Sequence, residues 1–355
     1  MRVLLGKLLS LTRPDSMPSG QVATTALIMT VVALCVGAVL ADQIGGRTVS
    51  LAVAGFLPIS DASGFFSCAN QVLDTGAFLS EWCHRRPIYP SLLATLLAAA
   101  GRNLQVALVL QAALVGLAIA CAAREIARAT GLAGFVLAVV VVFAILARPQ
   151  ALTLTMSENA GLLLGAVALV VLLRGAERGS VRLIWAGVAL FGIAMQARPG
   201  AFVALPLLAL LAIVVARAAG QSLIGAVALA LLASGIGFAV QALLVWLTGG
   251  GWLQSHGPVA YVLYGMSVGG KTWAQVMSDH PEIFAAGGGD STINRKIYLA
   301  ALDNIRRDPG LLVRAYFDNL LAFSHLSSPN PDRWLRVAFR AAWLLGLVAC
   351  ARRWR

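Results

Sequence analysis

Long apolar runs alternate with short charged stretches over most of the chain. The runs fall at 22–41, 104–123, 132–147, 159–173, 183–197, 201–216, 222–247 and 334–350. Their lengths predict an all-α polytopic membrane protein with about eight transmembrane helices. Several runs are shorter than the roughly 20 residues a straight span needs, so their ends must extend into flanking polar residues or the bilayer must thin. The run 88–101 is only 14 residues long and begins among two prolines, Pro87 and Pro90. It is better suited to a re-entrant or interfacial helix than to a further span.

These runs divide the chain into a membrane core over 1–248, an external segment over 249–333, and a last span with a basic tail over 334–355. Within the core, the first external loop, 42–103, holds a polar island at 60–90. The 249–333 segment shifts to Gly, Asn, Asp and His and is too long for a mere connector. In it Asp290-Ser291-Thr292 predicts a helix start, followed by Ile293, Ile297, Ala301 and Ile305 at helical spacing. Asp308-Pro309 predicts a second start. That second helix, with Leu312, Tyr316, Leu320 and Phe323 on one face, is expected to lie on the bilayer surface.

Composition agrees with the pattern. The chain is 59% hydrophobic and 12% charged, with a mean hydropathy of +0.83, too apolar for a soluble domain of this length. Its net charge of +12 serves topology rather than nucleic acid, because no basic run is interleaved with stacking aromatics. With a cytoplasmic N-terminus and a non-crossing 88–101, twelve Lys and Arg fall in inside segments and six in short outside loops. Letting 88–101 cross would invert every later loop and put the cluster from Arg174 to Arg182 outside. Twelve of the 15 acidic residues then lie outside, so the functional polarity is external. The cysteines have no metal-ligand spacing, and Cys68 and Cys83 in the polar island are either a disulfide or two free thiols.

The island combines Asp61 with His84-Arg85-Arg86-Pro87-Ile88-Tyr89-Pro90. A carboxylate can take a proton from an attacking hydroxyl, and arginine presents a fixed fork of donors that fits phosphate oxygens. The pattern of Asp61, a nearby aromatic, Gly76 and then Arg-Pro-x-Tyr-Pro resembles the first external loop of the GT-C superfamily. These are integral membrane glycosyltransferases that use polyprenyl-phosphate sugars, among them aminoarabinose transferases and protein O-mannosyltransferases. Ser157-Glu158 before one apolar run, Ala197-Arg198-Pro199 after another, and Asp308-Pro309 extend the resemblance over about 20–325.

The resemblance implies transfer of a monosaccharide from a polyprenyl-phosphate donor to an acceptor hydroxyl on a glycan, a lipid-linked sugar or a protein. The expected site is the external face of a bacterial plasma (inner) membrane. Asp61 is the expected general base, against a plain role as a helix cap, and a single base implies inversion. Arg85, Arg86 and Arg198 are expected at the donor phosphate, against anchoring in lipid headgroups. Glu158 is a second acidic candidate, against a charge placed at a helix N-terminus. In some relatives acidic residues near this position hold a divalent metal, whereas here one carboxylate stands beside Asn159. His84, Tyr89, His256 and Lys271 complete the candidate substrate contacts. The competing classes are a lipid-linked sugar flippase or transporter, which needs ionisable groups at mid-membrane, and a noncatalytic scaffold subunit.

Overall fold

The computed structural model describes residues 21–49, 51–130, 150–198, 204–250 and 257–323. Its elements in chain order are α1 (Gln21–Gly45), β1 (Ala52–Val53), β2 (Leu57–Pro58), α2 (Asp61–Thr75), α3 (Glu81–His84), α4 (Ile88–Ala99), α5 (Leu104–Thr130), α6 (Gln150–Thr153), α7 (Ser157–Glu177), α8 (Val181–Ala197), α9 (Ala204–Ala218), α10 (Leu223–Leu247), α11 (Gly257–Ser267), α12 (Gln275–Asp279), α13 (Pro281–Ala285), α14 (Asp290–Arg307) and α15 (Gly310–Phe323). The described chain is mostly helical, with one small departure from an all-α protein. The strands β1 and β2 pair antiparallel, Ala52 with Pro58 and Val53 with Leu57.

Among the described residues, four helices are long and apolar enough to cross a membrane: Thr25–Gly45, Leu104–Ala129, Ser157–Glu177 and Leu223–Leu247. In hydrocarbon every backbone polar group must be bonded within the segment, which these uninterrupted helices achieve. Their outward faces are apolar, with Met29 and Leu34 on α1 and Leu231 and Leu232 on α10 left exposed. The chain is therefore a membrane protein by the character of its surface.

Of the eight expected spans, 132–147 and 334–350 lie outside the described residues. Two others form shorter apolar helices, Val181–Ala197 and Leu205–Ala218, about 26 and 21 Å long against a hydrocarbon thickness of about 30 Å. Helix α4 has 12 residues, and Tyr89, Leu93 and Leu97 bury its inner face in the main core.

Contacts along the bundle sort the helix ends into two sets. Gln43 Nε2 donates to the Gln105 carbonyl (3.2 Å), so the C-terminus of α1 meets the N-terminus of α5. Gln111 Nε2 on α5 donates to the Leu154 carbonyl (3.2 Å) just before α7, and Arg174 on α7 pairs with Glu125 on α5 (2.9 Å) at the opposite end. Helix α8 returns antiparallel to α7, with Gly161 against Arg198 and Gly175 against Ile184. The C-terminus of α10 reaches the same end as that of α8, where Phe78 N–H donates to the Thr248 carbonyl (2.9 Å). All the described parts of the 42–103 loop collect at that end.

The main core lies beneath the loop and joins α1, α2, α4, α5 and α6 through Val39, Phe65, Tyr89, Leu93, Leu108 and Leu152. A smaller core joins α7 to α10, and another, around Tyr264, Ile297 and Ala301, belongs to the 257–323 segment. There the expected helix spacing corresponds to α14, whose Ile297 and Ala301 are buried. The second helix starts at Gly310, whose N–H is accepted by Asp308 Oδ1 (2.9 Å). On α15 the exposed apolar residues are Val313 and Phe317, while Leu312 and Tyr316 are half-buried. The side chains of Leu320 and Phe323, the other two residues of the expected face, lie outside the described residues, and Ala315 packs over Gly270.

Candidate functional site

Helix α2 carries Asp61 in its first turn. The preceding Ser60 has φ 55° and ψ −134°, a backbone geometry that costs a non-glycine residue about 1–3 kcal/mol and persists only where its surroundings enforce it. The Ser60 side chain makes no capping hydrogen bond; its carbonyl accepts from the N–H groups of Ser63 (3.1 Å) and Gly64 (3.3 Å). Thr155 Oγ1 donates to the Ala62 carbonyl (2.8 Å) and fixes the start of α2 beside the start of α7. The Asp61 side chain is left exposed. At the far end Gly76 adopts the left-handed conformation at φ 72° and its N–H bonds the Val72 carbonyl, a helix stop that favours glycine.

The segment after α2 folds back across it. Cys68 and Cys83 form a disulfide with Cα atoms 5.6 Å apart, which resolves the alternative left open by the sequence and ties α3 to the middle of α2. Trp82 then lies against Gly64, where a Cβ would come within 2.9 Å of the indole. Phe65 meets Trp82 edge-on at 4.9 Å and Tyr89 at 5.2 Å. The Arg86 guanidinium stacks over Trp82 at 4.3 Å, a cation–π contact that holds the charge against the ring seated on α2. Sequence reasoning passed over Trp82, since a single aromatic near a membrane interface carries no signal of its own.

The remaining candidates occupy different settings. Arg85 is 8% exposed and so does not reach outward as a headgroup anchor. His84 packs edge-on against Phe78 at 6.0 Å, and its Nε2 is buried without a hydrogen bond. Tyr89 is 1% exposed and donates its hydroxyl to Gln111 Oε1 (2.9 Å), inside the core rather than at an open surface. Glu158, in the first turn of α7, pairs with Arg198 across the α7–α8 gap (2.9 Å). The expected phosphate contact and the expected second carboxylate are thus partners of each other. Lys271 is exposed in the turn after α11, and His256 lies outside the described residues.

A metal at Glu158 would have to share its carboxylate with the Arg198 guanidinium. Among the described residues no group of three or more His, Cys, Asp or Glu stands together to hold an ion.

The late segment meets the first loop at Glu81. Both Glu81 carboxylate oxygens lie 3.2 Å from where a Cβ on Gly289 would sit, at the N-terminal end of α14. A carboxylate there complements the positive end of the helix dipole. Within the segment, Tyr264 donates to Asp279 Oδ2 (2.9 Å). Burial first, then that carboxylate, push its phenol up to about 12.

Compared with known proteins, the chain matches no family model, no curated protein and no solved structure.

Proposed function

We propose that the chain is an integral membrane glycosyltransferase of GT-C type. It moves a monosaccharide from a polyprenyl-phosphate donor to an acceptor hydroxyl at the outer face of a bacterial plasma membrane. Asp61 accepts the hydroxyl proton as the oxygen attacks the anomeric carbon. The bond from that carbon to the phosphate oxygen breaks, its electron pair leaves with the lipid phosphate, and the configuration inverts. Arg86 is the cation best placed to meet the charge that grows on the leaving phosphate, where a fixed donor stabilises the transition state more than the ground state. The Glu158–Arg198 pair holds the start of α7 against the end of α8.

One observation carries this reading. An exposed carboxylate opens a helix whose next turn supports the Trp82–Arg86 stack, which supports Asp61 as the proposed base and Arg86 as the proposed cation. The test is transfer by purified protein in proteoliposomes supplied with polyprenyl-phosphate sugars and candidate acceptors. Wild type should turn over and Asp61→Asn should not. Transport of the donor without transfer would favour a flippase, and Asp61→Asn with normal turnover would remove the proposed base.

A further inference from the structure

Helices α8 and α10 meet backbone to backbone. A Cβ on Gly237 would lie 2.4 Å from the Gly192 carbonyl carbon and oxygen, so this approach requires glycine. Both helices run toward the first loop, and side chains four residues apart share a helix face. One turn beyond the crossing these positions are Gln196 and Gln241.

Gln241 is 2% exposed. Its Nε2 donates a long hydrogen bond to the Arg85 carbonyl (3.5 Å), an orientation that turns Oε1 away from that carbonyl. Its Oε1 is buried and has no hydrogen-bond partner. Gln196 Nε2 is likewise buried without one. His84 precedes Arg85 and leaves Nε2 unbonded in the same way; close approach of the chain at Gly250 hems in that ring. Polar atoms left unbonded in an apolar bundle are costly, and polar residues inside spans commonly mark substrate paths.

We infer that Gln196, Gln241 and His84 line a subsite for the hydroxyl groups of the transferred sugar, an inference that rests on the glycosyltransferase reading above. The chemistry of the open atoms selects this ligand. They comprise an acceptor, Gln241 Oε1, a donor, Gln196 Nε2, and an imidazole nitrogen that takes either role. A phosphate oxygen only accepts and would meet Gln241 Oε1 lone pair to lone pair. A sugar hydroxyl donates and accepts and satisfies both amides. The Arg85 carbonyl joins this subsite to the arginines proposed for the phosphate, so sugar and phosphate sit on adjoining stretches of one loop.

The experiment measures binding to purified protein in nanodiscs with two probes, a short-chain polyprenyl-phosphate hexose and the same polyprenyl phosphate without sugar. Wild type should prefer the sugar-bearing lipid by about tenfold or more, the worth of one or two hydrogen bonds. Gln241→Met and Gln196→Met, which keep side-chain volume, should each lose that preference and bind the bare lipid as wild type does. Thermal unfolding of each variant excludes misfolding as the cause, and Gln241→Leu is the second substitution if Met fails to fold. Wild type binding neither probe would overturn the glycosyltransferase reading itself. Sugar preference retained in both Met variants would overturn the subsite alone and leave the amides as partners of each other.

Discussion

The two ends of the helix bundle use their charges differently. At the end away from the first loop, Glu125 is 2% exposed and pairs with Arg174 (2.9 Å) and Arg128 (3.5 Å), and Arg128 also meets Glu177 (3.5 Å). Both carboxylates there have a cation, and the cluster locks α5 to α7. At the loop end Asp61 is exposed in a strained turn, and His84, Glu158 and Gln241 each keep a buried atom without a hydrogen bond. Paired charges stabilise one structure, although Arg174 Nε there is also buried without a hydrogen bond. Buried atoms left open on a rigid frame are suited to receive a ligand.

The largest effect expected is on catalysis at the loop end. Asp61→Asn should reduce transfer by about 10²–10⁴-fold, the usual contribution of a general base, with unfolding unchanged. Initial rates beside a thermal melt check this. Next in size is the tether: replacing Cys68 and Cys83 by alanine should destabilise the loop by about 3 kcal/mol on the loop-entropy account. Faster proteolysis between α2 and α4 would report it, and an unchanged digestion pattern would count against a structural tether.

Glu125→Gln probes the opposite end. Truncating a buried pair costs about 3–5 kcal/mol, and half-exposed arginines reduce this to about 2 kcal/mol. Denaturant midpoints should fall while turnover per folded molecule stays as in wild type. Lost turnover at full stability would erase the contrast between the two ends.

The smallest effect lies in the 257–323 segment. The Tyr264 phenol is held up to about 12 in the fold, against about 10 when unfolded. The unfolded chain therefore releases this proton first. The associated stability is complete below pH 10 and is lost as pH rises toward 12. Hydrogen exchange of α11 and α14 should quicken across that window in wild type and change less in Tyr264→Phe.

Much of the frame was legible. Continuous apolar stretches located α1, α5, α7 and α10 within a few residues, because a backbone in hydrocarbon has few ways to satisfy itself. The helix in the 88–101 run was legible from its apolar content, and α4 has 12 residues there. Pairing was much less legible. Nothing local in Glu158 or Arg198 shows that they meet across 40 positions, nor that Trp82 would seat on Gly64 and carry Arg86. Tyr89, placed by its motif among substrate contacts, is drawn into the core because Gln111 offers its hydroxyl an acceptor.

Hydrophobic patterning by itself determined that this is a helical membrane protein, because burial in hydrocarbon acts on each segment separately through its own length and composition. It also located the polar island. Tertiary structure alone decided which polar groups pair and which stay open. A hydrogen bond or ion pair depends on distances between residues far apart in the chain, and the close approach of α8 to α10 at two glycines sets those distances for Gln196 and Gln241.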